Sequence, residues 1–367
     1  MDPLLHQILS SALAAAASDI HIKPHCPVVF RLDRQLVSID CPFPTEDWLL
    51  TQITQVAGRD TLEKLQTEFE ADFAFTLPEF GRFRANAFRQ RGQLTLALRL
   101  VKSSIRSLEE LRLPAFLGRL VESHRGILLV TGAIGAGKST TLAALIDHLN
   151  RNHRKHIVTL EDPIEYLFDD RLSVIEQREI GIDTHSFANG LRHVLRQDPD
   201  VIVIGEMRDA ASAAAAMTAA SIGHLVISTL HTPDTARSLQ RILDFFPGTD
   251  REHARRLFSE TLLGVSCQRL IASETSGVIP AVEILVNTPS IAKLIASDRT
   301  EKIPAELELG SPDGMQTFDQ ALQEMVRTRQ ITQAEAIEHA ANPEALRMLF
   351  KGVVLHEGKR ILGGRAD

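Results

Sequence analysis

Gly132-Ala133-Ile134-Gly135-Ala136-Gly137-Lys138-Ser139 matches G-x-x-x-x-G-K-[ST] at every fixed position, a spacing suited to cradling phosphates. The glycines let the backbone wrap tightly, so successive N–H groups and the start of a following helix face the anion. Lys138 is placed to reach the β and γ phosphates as a point charge, and the Ser139 hydroxyl to ligate Mg2+. With Thr140 these are the candidate nucleotide-binding residues, and ATP and Mg2+ are the ligands they imply. Phosphate binding is not yet hydrolysis, which needs carboxylates to hold the metal and orient water.

Three further stretches supply such groups. Val201-Ile202-Val203-Ile204 leads into Gly205-Glu206, a strand that delivers an acidic residue to the carboxyl edge of a sheet. Gly205 stands where the usual magnesium-binding aspartate would be, so Glu206 serves either as a metal partner through water or as the base that positions the attacking water. Thr159-Leu160-Glu161-Asp162-Pro163-Ile164-Glu165 ends a second strand with three carboxylates in five residues. Such crowding of like charge calls for a nearby cation or an ionised network, although a solvated loop is the plainer alternative. The run from Gly223 to Thr232 puts His224 and His231 at opposite ends of a buried strand. His231 emerges at the carboxyl edge, where it can sense a γ phosphate or a neighbouring subunit, and His224 points to the far edge.

These groups need elements to hold them. From 126 onward strands and helices alternate: strands over 126–131, 156–160, 201–204 and 225–230, and helices over 139–152, 186–196 and 209–222. That alternation predicts an α/β domain, a mostly parallel sheet with helices on both faces. A predominantly helical tail follows from about 288, with helices over 317–328 and 332–341. The first hundred residues read as a smaller α+β domain. An N-terminal helix precedes a strand at 18–22, a hairpin turning at Asp33-Arg34, helices over 45–57 and 60–68, and strands over 71–77, 82–90 and 93–101. The domains predicted are 1–102 and 115–367, joined by a linker and hinge over 103–114 where the periodicity breaks down.

Bulk properties fit this plan. At 367 residues, 44% hydrophobic and 24% charged, the chain is an ordinary globular protein long enough for two cores. The apolar stretch 9–17 is broken by Ser10 and Ser11 and is far shorter than the ~20 residues of a membrane span, so neither signal peptide nor membrane insertion is expected. A net charge of −7 speaks against a general nucleic-acid binder. Cys26, Cys41 and Cys267 form no CxxC pair and cannot build a four-cysteine zinc site. Reduced thiols in a cytoplasmic protein are the expectation.

Taken in order, Gly132 to Ser139, Glu161-Asp162-Pro163-Ile164-Glu165, Gly205-Glu206-Met207-Arg208-Asp209 and Thr229-Leu230-His231-Thr232 resemble the Walker A, Asp box, Walker B and His box of secretion ATPases. Within that superfamily the chain is similar to the pilus-retraction motors of the PilT and PilU type, from Ser18-Asp19-Ile20-His21 to near Lys351. The resemblance implies a PAS-like N-terminal domain and a RecA-like C-terminal domain with nucleotide between them. It also implies a ring-shaped homo-hexamer at the cytoplasmic face of the inner membrane, acting on a pilus platform protein, and admits a paralogous retraction ATPase as a further partner. Carried over by position, Glu165 and Glu206 are the catalytic carboxylates, and His224 and His231 the two His box histidines. Arg82, Arg84 and Arg99 best match the arginines of the PAS-like domain that neutralise transition-state charge. Alternation puts Arg82 and Arg84 on one face of their strand, opposite Phe83 and Ala85, though surface arginines on an edge strand would read the same way.

The absence of a zinc motif and of an extra N-terminal domain favours retraction over assembly. The retraction-associated helix, however, reads Ser290-Ile291-Ala292-Lys293-Leu294-Ile295-Ala296, without its two arginines. The tail sequence leans toward PilU and the Walker B and His boxes toward PilT. Two other readings use the same nucleotide chemistry: a secretion ATPase of another envelope machine, and a RecA-like DNA translocase. A nucleotide-binding regulator with little turnover is a third.

Overall fold

The computed structural model describes residues 2–32, 35–102, 104–273 and 277–351. The expected hairpin turn at Asp33-Arg34, Ser103 of the linker and the tail beyond Lys351 lie outside the described residues. The chain divides into two compact units, one of 1–104 with Glu165–Leu167, the other of Ile105–Ile164 and Phe168–Asp367.

The first unit opens with α1 (Pro3–Ala14), whose N-terminus is capped by Asp2 accepting from Leu4 and Leu5 N–H. There follow β1 (Asp19–Ile22), β2 (Val29–Leu32), β3 (Gln35–Ser38), α2 (Glu46–Val56), α3 (Arg59–Thr67), β4 (Glu70–Leu77), β5 (Gly81–Gln90) and β6 (Gln93–Leu100). The strands form an antiparallel sheet in the order β3-β2-β1-β6-β5-β4. Strand alternation sorts its two faces. Ile20, Ile22, Phe83, Ala85, Leu96 and Leu98 join Leu5, Ile8, Leu9, Leu49 and Ile53 of the helices in one core. Arg84, Arg99, Asp19 and Arg31 stand in a single cross-strand row of alternate parity. β5 lies inside the sheet, so the edge-strand reading of Arg82 and Arg84 does not hold: β4 and β6 cover both of its sides.

The second unit runs α4 (Phe116–Val121), β7 (Gly126–Thr131), α5 (Lys138–Asn152), β8 (His156–Glu161), β9 (Val174–Glu179), α6 (Phe187–Val194), β10 (Val201–Ile204), α7 (Ala210–Ser221), β11 (Leu225–Leu230), α8 (Thr235–Asp244), α9 (Gly248–Thr261), β12 (Leu262–Ala272) and β13 (Val278–Val286). Leu113 is buried against α4 and α5, with Leu108 and Leu111 packed beside it, so residues 105–114 belong structurally to this unit. Its sheet has the order β13-β12-β7-β11-β10-β8-β9, parallel throughout except for β13, which pairs antiparallel with β12. The strands are apolar on both faces because each face is covered. Leu128, Val130, Val203 and Ile227 pack with α4 and α5, whereas Ile127, Leu129, Ile202, Ile204 and Val226 pack with α6, α7, α8 and α9.

The tail consists of α10 (Pro289–Ala296), α11 (Ile303–Leu309), α12 (Phe318–Arg327), α13 (Gln333–His339) and α14 (Pro343–Phe350). Its α12, α13 and α14 pack onto β12 and β13, with Phe318, Leu322, Met325, Ala336 and Leu346 sharing a core with Cys267, Ile271, Ile279 and Ala281. All three cysteines are free, and burial pushes the Cys267 thiol up to about 12. Among the described residues no helix is long and apolar enough to cross a membrane.

Candidate nucleotide site

The loop from β7 into α5 has backbone that only its glycines can supply. Gly132, Gly135 and Gly137 sit at φ +147°, +79° and +86°, in the region closed to most side chains. At Gly132 there is also no space, since a Cβ would stand 2.5 Å from the Gln268 carbonyl oxygen. Gly137 precedes the 15-residue α5 and caps it without a side-chain hydrogen bond, so the positive end of that helix dipole is open to an anion. Ile134 at the loop tip is 88% exposed. The Gln268 side-chain amide donates to Ala136 O, fastening the loop to β12.

Lys138 is buried and its ammonium donates to Gly132 O, Ala133 O and His231 Nδ1, at 3.0, 3.0 and 2.9 Å. An ammonium has no lone pair, so Nδ1 must accept and Nε2 carries the imidazole hydrogen. That Nε2 faces Glu206 Oε1 at 3.4 Å, and Glu206 Oε2 accepts from Arg208 Nε at 2.8 Å. Arg208 in turn lies 3.5 Å from Asp162. The hydrogen bond that Arg208 donates to Glu206, the larger cause, and the charges of Glu206 and Asp162 hold the Arg208 guanidinium above its ordinary range. One polar chain, Lys138–His231–Glu206–Arg208–Asp162, thus follows the carboxyl edge of the parallel sheet, where open α/β sheets bind ligands.

The strand ends explain its geometry. Gly205 N–H donates to Leu160 O at 2.7 Å and Gly205 O accepts from Thr229 Oγ1 at 2.6 Å. A Cβ at Gly205 would lie 3.3 Å from that Leu160 oxygen. A side chain at this position would need β8 to give by a few tenths of an ångström. Below the loop, Ser238 Oγ donates to Thr131 Oγ1 at 3.1 Å and pairs with Thr232 Oγ1 at 2.6 Å, fixing the backbone after His231. The oxygen donors of Ser139 and Glu206 are of the hard type that Mg2+ takes, so the residue set fits the metal that the loop implies.

The three clustered carboxylates separate. Glu161 accepts from Thr159 Oγ1 and Gln177 Nε2 at 2.7 and 3.1 Å, Asp162 meets Arg208, and exposed Glu165 opens the stretch that groups with the first unit. There Leu167 N–H donates to Lys102 O. His224 stands at the start of β11, its Nδ1 2.8 Å from Pro199 O, at the opposite edge from Lys138. Arg82, Arg84 and Arg99 are held by the first unit's sheet, with Arg99 Nε 2.7 Å from Asp19 Oδ1. Arg208 and Gln268 were not singled out from sequence, and Asp162 only as one of three clustered carboxylates. Arg208 and Asp162 lie inside quoted motifs, and Gln268 carries no local signal.

A family model described as type II/IV secretion system protein matches residues 1–341. The chain is 40% identical over 322 residues to a twitching motility protein of Neisseria gonorrhoeae, covering 88% of this chain and 86% of that protein. It is 38% identical over 339 residues to the type IV pilus retraction ATPase PilT of Pseudomonas aeruginosa, covering 92% and 98%. A crystal structure of the pilus retraction motor PilT with bound ADP superposes with a TM-score of 0.86 at 37% identity, covering 95% of this chain and 99% of that one. With a phosphate loop, a Glu206–His231–Lys138 chain and this extent of likeness, the chain belongs to the type II/IV secretion system protein family and carries its ATPase domain.

Proposed function

We propose that this protein is a Mg2+-dependent ATPase motor that drives retraction of a type IV pilus. The observation that carries the reading is the Lys138–His231–Glu206 chain, which links a phosphate-binding ammonium to a carboxylate able to orient water. The similarity to PilT over nearly the whole chain supplies the direction of work. In this reading Gly132 to Thr140 bind ATP, and Ser139 and, through water, Glu206 hold Mg2+. Glu206 and Glu165 are the catalytic carboxylates, and Arg82, Arg84 and Arg99 act on the charge developing in the transition state. The chain works as a homo-hexamer at the cytoplasmic face of the inner membrane, against a pilus platform protein and alongside a paralogous retraction ATPase.

Phosphate release by the purified chain tests the chemistry. Lys138→Ala abolishes nucleotide binding, and Glu206→Gln binds ATP but turns over about 10²–10⁴-fold more slowly. Arg82→Ala and Arg84→Ala lower kcat far more than nucleotide affinity. Equal, negligible turnover in wild type and Glu206→Gln with ATP still bound overturns the motor reading. Failure of an active enzyme to restore twitching in a strain lacking its own retraction ATPase assigns the motor to another envelope machine.

A further inference from the structure

At the far end of α5 from the phosphate loop, three metal-binding side chains converge. Glu122 is the residue that ends α4, His148 lies in the last turns of α5, and His153 is the C-cap of α5. Glu122 Oε1 is 2.9 Å from His148 Nε2 and 3.4 Å from His153 Nε2, and the three ligand atoms lie within 4.8 Å of one another. Around a tetrahedral zinc with bonds of about 2.0–2.1 Å, ligand atoms stand roughly 3.3 Å apart. Two of the three separations therefore bracket the value needed, and modest side-chain rotation closes the third.

Two features show that the cluster is built rather than a chance meeting of surface charges. His153 Nε2 is buried and its polar neighbour is Glu122 Oε1 at 3.4 Å, so this imidazole nitrogen is turned into the cluster rather than out to water. Gly118 on α4 makes room for the second ring, since a Cβ there would stand 3.3 Å from His148 Cε1. His148 Nδ1 faces the Asn152 amide at 3.4 Å. The same Asn152 amide nitrogen donates to His148 O at 2.8 Å, which holds it beside the ring.

We propose that Glu122, His148 and His153 bind one zinc-class divalent cation that ties the C-terminal end of α4 to that of α5. The side chains are 38%, 26% and 34% exposed, so water completes the fourth position. Two imidazoles with one carboxylate favour zinc, cobalt or nickel over Mg2+, which prefers oxygen ligands throughout. The site stands apart from the nucleotide residues and independent of what the motor moves.

The test uses the full chain, stripped with EDTA and titrated with Zn2+ in the presence of excess Mg2+, with calorimetry as readout, and separately with Co2+, followed by visible absorption. One site per chain is expected, with an intense tetrahedral Co2+ spectrum and a Tm raised by Zn2+. Glu122→Gln, His148→Gln and His153→Gln each weaken Zn2+ binding by at least about tenfold and abolish the Zn2+-induced rise in Tm. Wild type binding Zn2+ no more tightly than the triple variant overturns the proposal, as does wild type giving no tetrahedral Co2+ spectrum. The second measurement requires no variant to fold.

Discussion

At the residue scale, the site depends on which atoms of His231 donate and which accept. Lys138 already gives two hydrogens to the loop carbonyls, so its third fixes the imidazole tautomer and points an N–H at Glu206. His231 is thereby a positioning residue between a phosphate ligand and the carboxylate that orients water. His231→Ala is expected to lower kcat by about 10–10³-fold and to change ATP affinity far less, since Lys138 keeps its loop contacts. His231→Asn, which can still accept at one end and donate at the other, should recover part of the loss. Equal loss in both variants with weakened ATP binding would reduce the imidazole to packing. The motif spacing made Lys138, Glu206 and His231 legible, because each follows a strand whose apolar run is visible in sequence. Arg208, which shares Glu206 with His231, was not legible as a partner, since a residue two positions away along the chain faces Glu206 only through the turn after β10.

At the element scale, the row Arg84, Arg99, Asp19, Arg31 across β5, β6, β1 and β2 sets two like charges side by side, which is unfavourable by itself. Asp19 offsets this. Burial opposes its charge, but the Ser18 hydrogen bond and the Arg99 and Arg31 guanidiniums outweigh burial and hold its carboxyl below the usual range. Asp19→Asn is expected to cost about 1–2 kcal/mol near neutral pH. A carboxyl lowered by folding contributes above its unfolded value of about 3.9 and loses that contribution as pH falls through its folded value. The stability difference between wild type and Asp19→Asn should accordingly be flat from pH 7 to about 5 and shrink below about 4, as read from urea unfolding at each pH. Alternation of Arg82, Phe83, Arg84 and Ala85 revealed the two faces, whereas the position of β5 inside the sheet depends on β4 and β6 pairing with it.

At the scale of the whole molecule, the helical tail is an integral layer of the second unit. Phe318 is 1% exposed and stacks under Arg269, whose guanidinium carbon is 4.0 Å from the ring centroid. Arg269 also donates to His339 O and to Pro233 O, at 2.9 and 3.2 Å, joining α13 to the loop that follows His231. Phe318→Ala is expected to destabilise the unit by about 3–5 kcal/mol and, by loosening that loop, to reduce turnover at temperatures where the chain is still folded. A variant with unchanged Tm and unchanged phosphate release would show the tail to be an independent appendage.

What the sequence determined by itself is local: the phosphate loop, the strands that carry its carboxylates and histidine, the helical character of the tail, and the family resemblance borne by motifs in order. Each of these follows from periodicity, or from residue types whose backbone or charge admits few alternatives. Only the tertiary structure decided what depends on contacts distant in sequence. It gathered His231, Glu206 and Lys138 into one chain, and it dispersed Glu161, Asp162 and Glu165 although they are neighbours. It set Gly205 close against β8, where a Cβ would stand 3.3 Å from the Leu160 oxygen. It also brought Glu122 to His148 and His153, a meeting that spacing along the chain does not announce, because it depends on the packing of α4 against α5.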